Sequence, residues 1–163
     1  MDKYLVTKEE IDAYEGIDKT HFLNPNAKRI NKSLGDLTGL SGIGFHIIEV
    51  KPGYVTTETH VHYSEEECVY VLEGNGEAIV GNEVYEIKAG DFIGYRAGGE
   101  AHNIKNTGTE TLKCIVVGQR LDSDMADYPN LKNEYIAAMG KNGIWLILKI
   151  SKNQRVVKSI TIC

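Results

Sequence analysis

Cysteine is scarce in this 163-residue chain: Cys68, Cys114 and Cys163 stand alone, in no recognised spacing. That excludes a CxxC metal or redox site, and an odd count without an export signal predicts reduced thiols in a cytoplasmic protein. Long apolar runs are lacking as well. The most apolar stretch, IWLILKI at 144–150, is seven residues, far short of a membrane span, and MDKYLVTKEE has no signal-like core. Positive charge is in deficit, at a formal net of -5, which argues against a nucleic-acid backbone binder. The expected partner is a small molecule rather than a polymer or a membrane.

Linkers and repeats are also missing. No Ser/Pro-rich segment divides the chain, and no solenoid period recurs, so residues 1–163 read as a single domain. Its charge is uneven. Residues 141–163 carry five basic groups and no acid, leaving 13 basic against 23 acidic groups in the first 140.

What is present begins with a short helix. Thr7 and Glu10 fit a capping box, Val6 and Ile11 a hydrophobic staple, and Gly16 a terminating position. The stretch that follows, HFLNPNAKRINKSLGDLTGLSGIG, is rich in turn residues and predicts an irregular arm that covers a sheet edge or a neighbouring subunit. Residues 1–43 are thus helix and arm.

From 44 to 118 helical periodicity is absent. Short β-branched and aromatic runs (GFHIIEV, YVTTETHVH, CVYVLEG, GEAIVG, NEVYEI, DFIGYR, AHNIKN, TLKCIVV) alternate with Gly, Pro and Asn. The pattern predicts an all-β sandwich or barrel. Gly81-Asn82 marks a two-residue hairpin and Gly74-Asn75-Gly76 another turn.

Within this core, His60 and His62 stand two apart, so a strand aims both imidazoles at one side. Thr56 and Glu58 share that parity. Polar groups on the inner face of a small barrel are costly unless something binds them, and two imidazoles with a carboxylate make a divalent-metal site. Glu65, Glu66 and Glu67 follow after a turn, and His102 opens a later strand.

In this company the chain resembles the cupin superfamily. Gly53 to Gly74 is similar to the first cupin motif: Gly, H-x-H, Glu, then Gly seven residues on, a spacing that Glu67 and Gly74 keep. Gly90 to Asn106 resembles the second motif, with His102 and then Asn106 four residues later, although the motif's usual Pro is missing and the turn is one residue longer. The flank FLNPNAKR…SLGDLTGL and Asp127-Tyr128-Pro129 are similar to a group of small bacterial cupins, whereas residues from about 131 in the 119–163 extension fall outside the resemblance. The resemblance implies an all-β double-stranded β-helix, a jelly-roll-like barrel, with one divalent transition ion (Mn, Fe, Ni, Co or Zn) on His60, His62, Glu67 and His102, and positions left open for substrate.

Other residues bear on the chemistry. Glu58 is a candidate proton-transfer group; a solvated carboxylate at the barrel mouth describes it equally well. Tyr95 and Arg96 precede His102, where an anion clamp or, more simply, a surface arginine is expected. His46 reads as structural, His21 has no companion, and Cys68 faces away from the metal. These features fit a metal-dependent enzyme, isomerase- or epimerase-like or dioxygenase-like, with a non-catalytic ligand-binding or sensing module as the alternative. Exposed strand edges and the arm predict a homodimer.

Overall fold

The computed structural model describes residues 3–131, 135–140, 143–149 and 158–160. Cys163 and most of the basic 141–163 segment lie outside the described residues. A capped helix, α1 (Lys8–Ala13), opens the chain. Glu10 N–H donates to Thr7 Oγ1 at 3.3 Å and Thr7 N–H to Glu10 Oε2 at 2.9 Å, closing the capping box. The helix ends at Tyr14 rather than through Gly16. Gly16 has a positive φ of 78° and lies so close to the next strand that a Cβ would meet Ile30 Cγ2 at 2.9 Å, so it serves the entry to the sheet instead.

The expected irregular arm is in fact a hairpin, β1 (Ile17–His21) and β2 (Asn24–Ser33), antiparallel to each other. β2 pairs in turn with β3 (Ile43–Val50), after a one-turn helix α2 (Leu34–Leu37). The arm therefore does cover a sheet edge, by adding strands to it. Turn residues obscured this because the inward row of β2 is largely polar: Ala27, Asn31 and Ser33 are buried and Arg29 is half-buried.

The barrel strands follow as the alternation predicts. They are β4 (Val61–His62), β5 (Glu67–Glu73), β6 (Asn75–Val80), β7 (Glu83–Lys88), β8 (Phe92–Tyr95), β9 (His102–Lys105) and β10 (Leu112–Gln119). Val80 pairs with Glu83 across Gly81-Asn82, the expected two-residue turn. At the other glycine turn only Gly74 leaves the strands, with φ 81°, and a Cβ there would meet Thr111 O at 2.7 Å. One sheet runs β1-β2-β3-β10-β5-β8 and a second β7-β6-β9. β11 (Asp124–Asp127), β12 (Tyr135–Gly140), β13 (Gly143–Lys149) and β14 (Lys158–Ile160) extend a third sheet from β4.

YVTTETHVH departs from its expected strand. Only Val61 and His62 are strand, and residues 56–59 are a run of bends. The segment changes partners along its length. Val55 N–H reaches Asn26 O at 3.2 Å and Thr56 N–H reaches Ile104 O at 2.8 Å, while Thr59 Oγ1 accepts from Asn103 Nδ2 at 3.0 Å. Strict side-to-side alternation fails there.

The interior is graded along the barrel. Cys114 faces both Ile48 and Val71, Leu112 faces Val50, and all five are buried. Fully burying Val50 and Val71 is worth about 1.5–3 kcal/mol each relative to exposure. Two residues along the same inward rows, the side chains turn polar: His46 before Ile48, Glu67 before Val69, His102 before Ile104. Strand periodicity thus gives the barrel an apolar end and a polar end.

Candidate metal centre

The polar end opens into a cavity of about 480 Å³ floored by Ile48, Val69, Ile104 and Val116. His60, His62, Glu67 and His102 all line it. Short β4 carries His62, the first residue of β5 is Glu67 and the first of β9 is His102, and a backbone bridge ties His60 to His102.

Each imidazole is held through Nδ1. His60 Nδ1 lies 2.9 Å from Glu58 O and His102 Nδ1 lies 3.2 Å from Glu100 O. A carbonyl oxygen only accepts, so both Nδ1 atoms carry the proton and both Nε2 atoms are left with a lone pair. His62 Nδ1 meets Asp124 Oδ2 at 2.6 Å. Of the three Nε2 atoms left over, those of His60 and His62 face each other at 3.0 Å. Two lone pairs at that distance require a shared proton or a cation between them.

Two donor pairs at this site have spacings that a divalent ion would accept. With metal–nitrogen bonds of about 2.0–2.1 Å, donors on one ion stand about 3–4 Å apart. The His60–His62 pair is at 3.0 Å and His102 Nε2–Glu67 Oε1 at 4.0 Å. His102 Nε2 is also buried without a hydrogen-bond partner, a costly state for a nitrogen that nothing ligates. Burial, then the neighbouring His62 and His102, hold the His60 imidazole well below its ordinary pKa. Burial lowers His102 to about 4. Both are therefore neutral at pH 7, the form that binds metals.

Another trio, His62, Glu65 and Asp124, has donor atoms within 4.8 Å of one another. Three of its four carboxylate oxygens are already engaged. Asp124 takes His62 Nδ1–H and the Ser64 and Glu65 N–H groups, and Glu65 takes Leu121 N–H at 2.7 Å. Within that trio Asp124 orients His62.

The surroundings differ from the strand-parity expectation. Glu58 is buried and accepts from Asn24 Nδ2 at 2.7 Å, outside the residues that line the cavity. Arg96 is exposed and away from the cavity, as a surface arginine would be. Tyr95 stacks on His102, with ring centroids 3.6 Å apart and 5° between planes. His46 accepts or donates at Ser33 Oγ, 2.8 Å away, in a structural setting at the cavity wall.

Four contributors were not singled out from the sequence. Asp124 comes from β11, Tyr128 from the segment after it, and Arg29 with Lys19 from the hairpin; the last three line the cavity. Asp127-Tyr128-Pro129 had signalled a resemblance without a role, and the polar inward row of β2 was readable only once the arm was known to be a strand.

Comparison with known proteins agrees with this architecture. Residues 46–118 match the family described as Cupin domain. A candidate sugar phosphate isomerase from Acidithiobacillus ferrooxidans is 45% identical, superposes with a TM-score of 0.84, and is covered over 94% of this chain and 96% of its own. A sugar phosphate isomerase of the cupin superfamily from Silicibacter pomeroyi superposes with a TM-score of 0.74 over 85% of this chain and 92% of its own, at 23% identity, a likeness of fold. An uncharacterized protein of Methanocaldococcus jannaschii is 42% identical over 59 residues, 36% of this chain and 46% of that protein, so the match spans less than half of its length. Barrel, motifs and relatives agree, and the chain belongs to the cupin superfamily.

Proposed function

We propose that the protein is a metal-dependent isomerase of a small polyhydroxylated substrate, with the ion held by His60, His62, Glu67 and His102. The observation that carries this reading is the opposed His60 and His62 Nε2 pair at 3.0 Å, each ring oriented from behind, at the wall of a cavity of small-molecule size. The 45% identity to a candidate sugar phosphate isomerase supports the choice of reaction. A divalent ion in this position supplies Lewis-acid polarisation to a substrate oxygen.

The chain's own residues supply orientation. Tyr95 Oη and Asn103 Oδ1 are buried, line the cavity and have no hydrogen-bond partner, so they suit substrate hydroxyls. Burial pushes the Tyr95 phenol above its usual range, which keeps it a neutral donor. Tyr128, pushed up to about 12 by burial and by the charge of Glu58, is likewise neutral at the cavity wall. Glu58 is the candidate proton acceptor, standing behind Tyr128 on the Asn24 amide.

A binding module is the second reading, and one observation favours it: among the described residues, Glu67 is the one carboxylate lining the cavity. The discriminating experiment incubates metal-loaded protein with aldose and ketose phosphates in deuterated water and follows interconversion by NMR. Conversion with deuterium uptake beside the carbonyl, lost in His60→Ala and reduced in Glu58→Gln, supports the isomerase. Saturable binding without conversion supports the binding module, and unchanged turnover in Glu58→Gln removes that residue from the reaction.

A further inference from the structure

We propose that Arg29 and Lys19 form the anion-binding end of this cavity and receive a phosphoryl dianion carried by the substrate, an assignment that rests on the small-molecule reading above. The two cations are direct cross-strand partners on β1 and β2, and both line the cavity. Like charges placed opposite each other on one sheet face are destabilising by themselves.

Among the described residues they are met only at longer range, Lys19 by the charge of Asp36 and Arg29 by that of Glu67. Neither Lys19 nor Arg29 makes an ion pair among the described residues. Arg29 donates through Nη1 to the Thr56 carbonyl, while its Nε is buried without a partner. A guanidinium withdrawn from water with an idle donor is costly unless a ligand satisfies it. The charge that favours Arg29 is that of Glu67, on β5 of the same sheet and among the candidate metal donors.

The chemistry of the ligand follows from the donors. An Arg fork with a nearby ammonium matches an oxyanion bearing two charges. A carboxylate would leave one cation uncompensated. His21, two residues after Lys19 on the same strand face, adds a neutral donor. Its Nδ1 accepts the Leu23 N–H at 3.2 Å, so the proton sits on Nε2. The hairpin lies outside residues 46–118, which match the shared domain. Substrate selection is thereby built on an element separate from the four metal donors.

The test is calorimetric titration of metal-free protein with inorganic phosphate and, separately, acetate. Saturable phosphate binding, weakened about tenfold or more in Arg29→Gln and in Lys19→Gln and partly restored in Arg29→Lys, supports the assignment. Unchanged phosphate affinity in both Gln variants, or no saturable binding by the wild type, overturns it. Acetate binding as tightly as phosphate overturns the dianion. Lys19 is exposed, so Lys19→Gln carries the comparison if Arg29→Gln does not fold. Metal content of the same preparations separates the two claims. A wild type that takes up no metal but binds phosphate through Arg29 sinks only the isomerase, and variants that keep both metal and phosphate sink only this assignment.

Discussion

Asp124 Oδ2 stands 2.6 Å from His62 Nδ1, joining residues 62 apart in sequence across the β4–β11 pairing. The Asp124 side chain is completely buried, and its other oxygen accepts the Ser64 and Glu65 N–H groups. The carboxylate therefore fixes both the orientation of His62 and the turn that leads to Glu67.

This relationship predicts the effect of removing it. Asp124→Ala lowers metal affinity about 10–100-fold, and Asp124→Asn, which keeps an acceptor, lowers it less. Competition against a chromophoric chelator measures both. Equal affinity in wild type and Asp124→Ala would show that His62 needs no support from behind.

Asn106 closes the opposite, apolar end of the barrel. It is fully buried; its amide donates to Val50 O at 2.7 Å and Glu110 O at 2.8 Å, and its Oδ1 accepts Gly108 N–H at 3.0 Å. Asn106→Ala orphans these groups and costs about 2–4 kcal/mol. Urea denaturation reads the loss, and a change below 0.5 kcal/mol (about the scatter of surface substitutions) contradicts the role.

Legibility from sequence followed burial pattern. β3 and β5 to β10 carry short β-branched and aromatic runs over a hydrophobic floor, so the runs of 44–118 other than YVTTETHVH read correctly as strands. β2 was hidden because Arg29, Asn31 and Ser33 occupy its inward row, inverting the usual pattern. Glu58 was placed on the ligand face by strand parity, which the bends at 56–59 break. Asp124 carried no local signal, since its role depends on a pairing of two short strands far apart in the chain. The four candidate donors, by contrast, were legible as a group, since motif spacing and barrel polarity both bring His60, His62, Glu67 and His102 to one cavity.

His46 predicts a pH dependence for the metal-free protein. Burial first, and then the charge of Arg120, lower its pKa from 6.5 to about 4. The folded state holds it neutral, so the unfolded chain binds the proton more readily below 6.5. The stability it contributes is full above pH 6.5 and is lost as pH falls toward 4. His46→Gln should lessen the fall in unfolding free energy between pH 7 and 4.5 by about 1 kcal/mol, after discounting for its partial exposure. An identical fall in both proteins would contradict a neutral, buried His46.

The central claim is that His60, His62, Glu67 and His102 hold one ion. It is tested most directly by elemental analysis of untagged protein beside His60→Ala and His102→Ala. The account predicts one equivalent of a divalent transition metal per chain in the wild type and essentially none in either variant, with the barrel still folded by circular dichroism. A wild type that stays metal-free under every loading condition, or variants that keep the full equivalent, would contradict it.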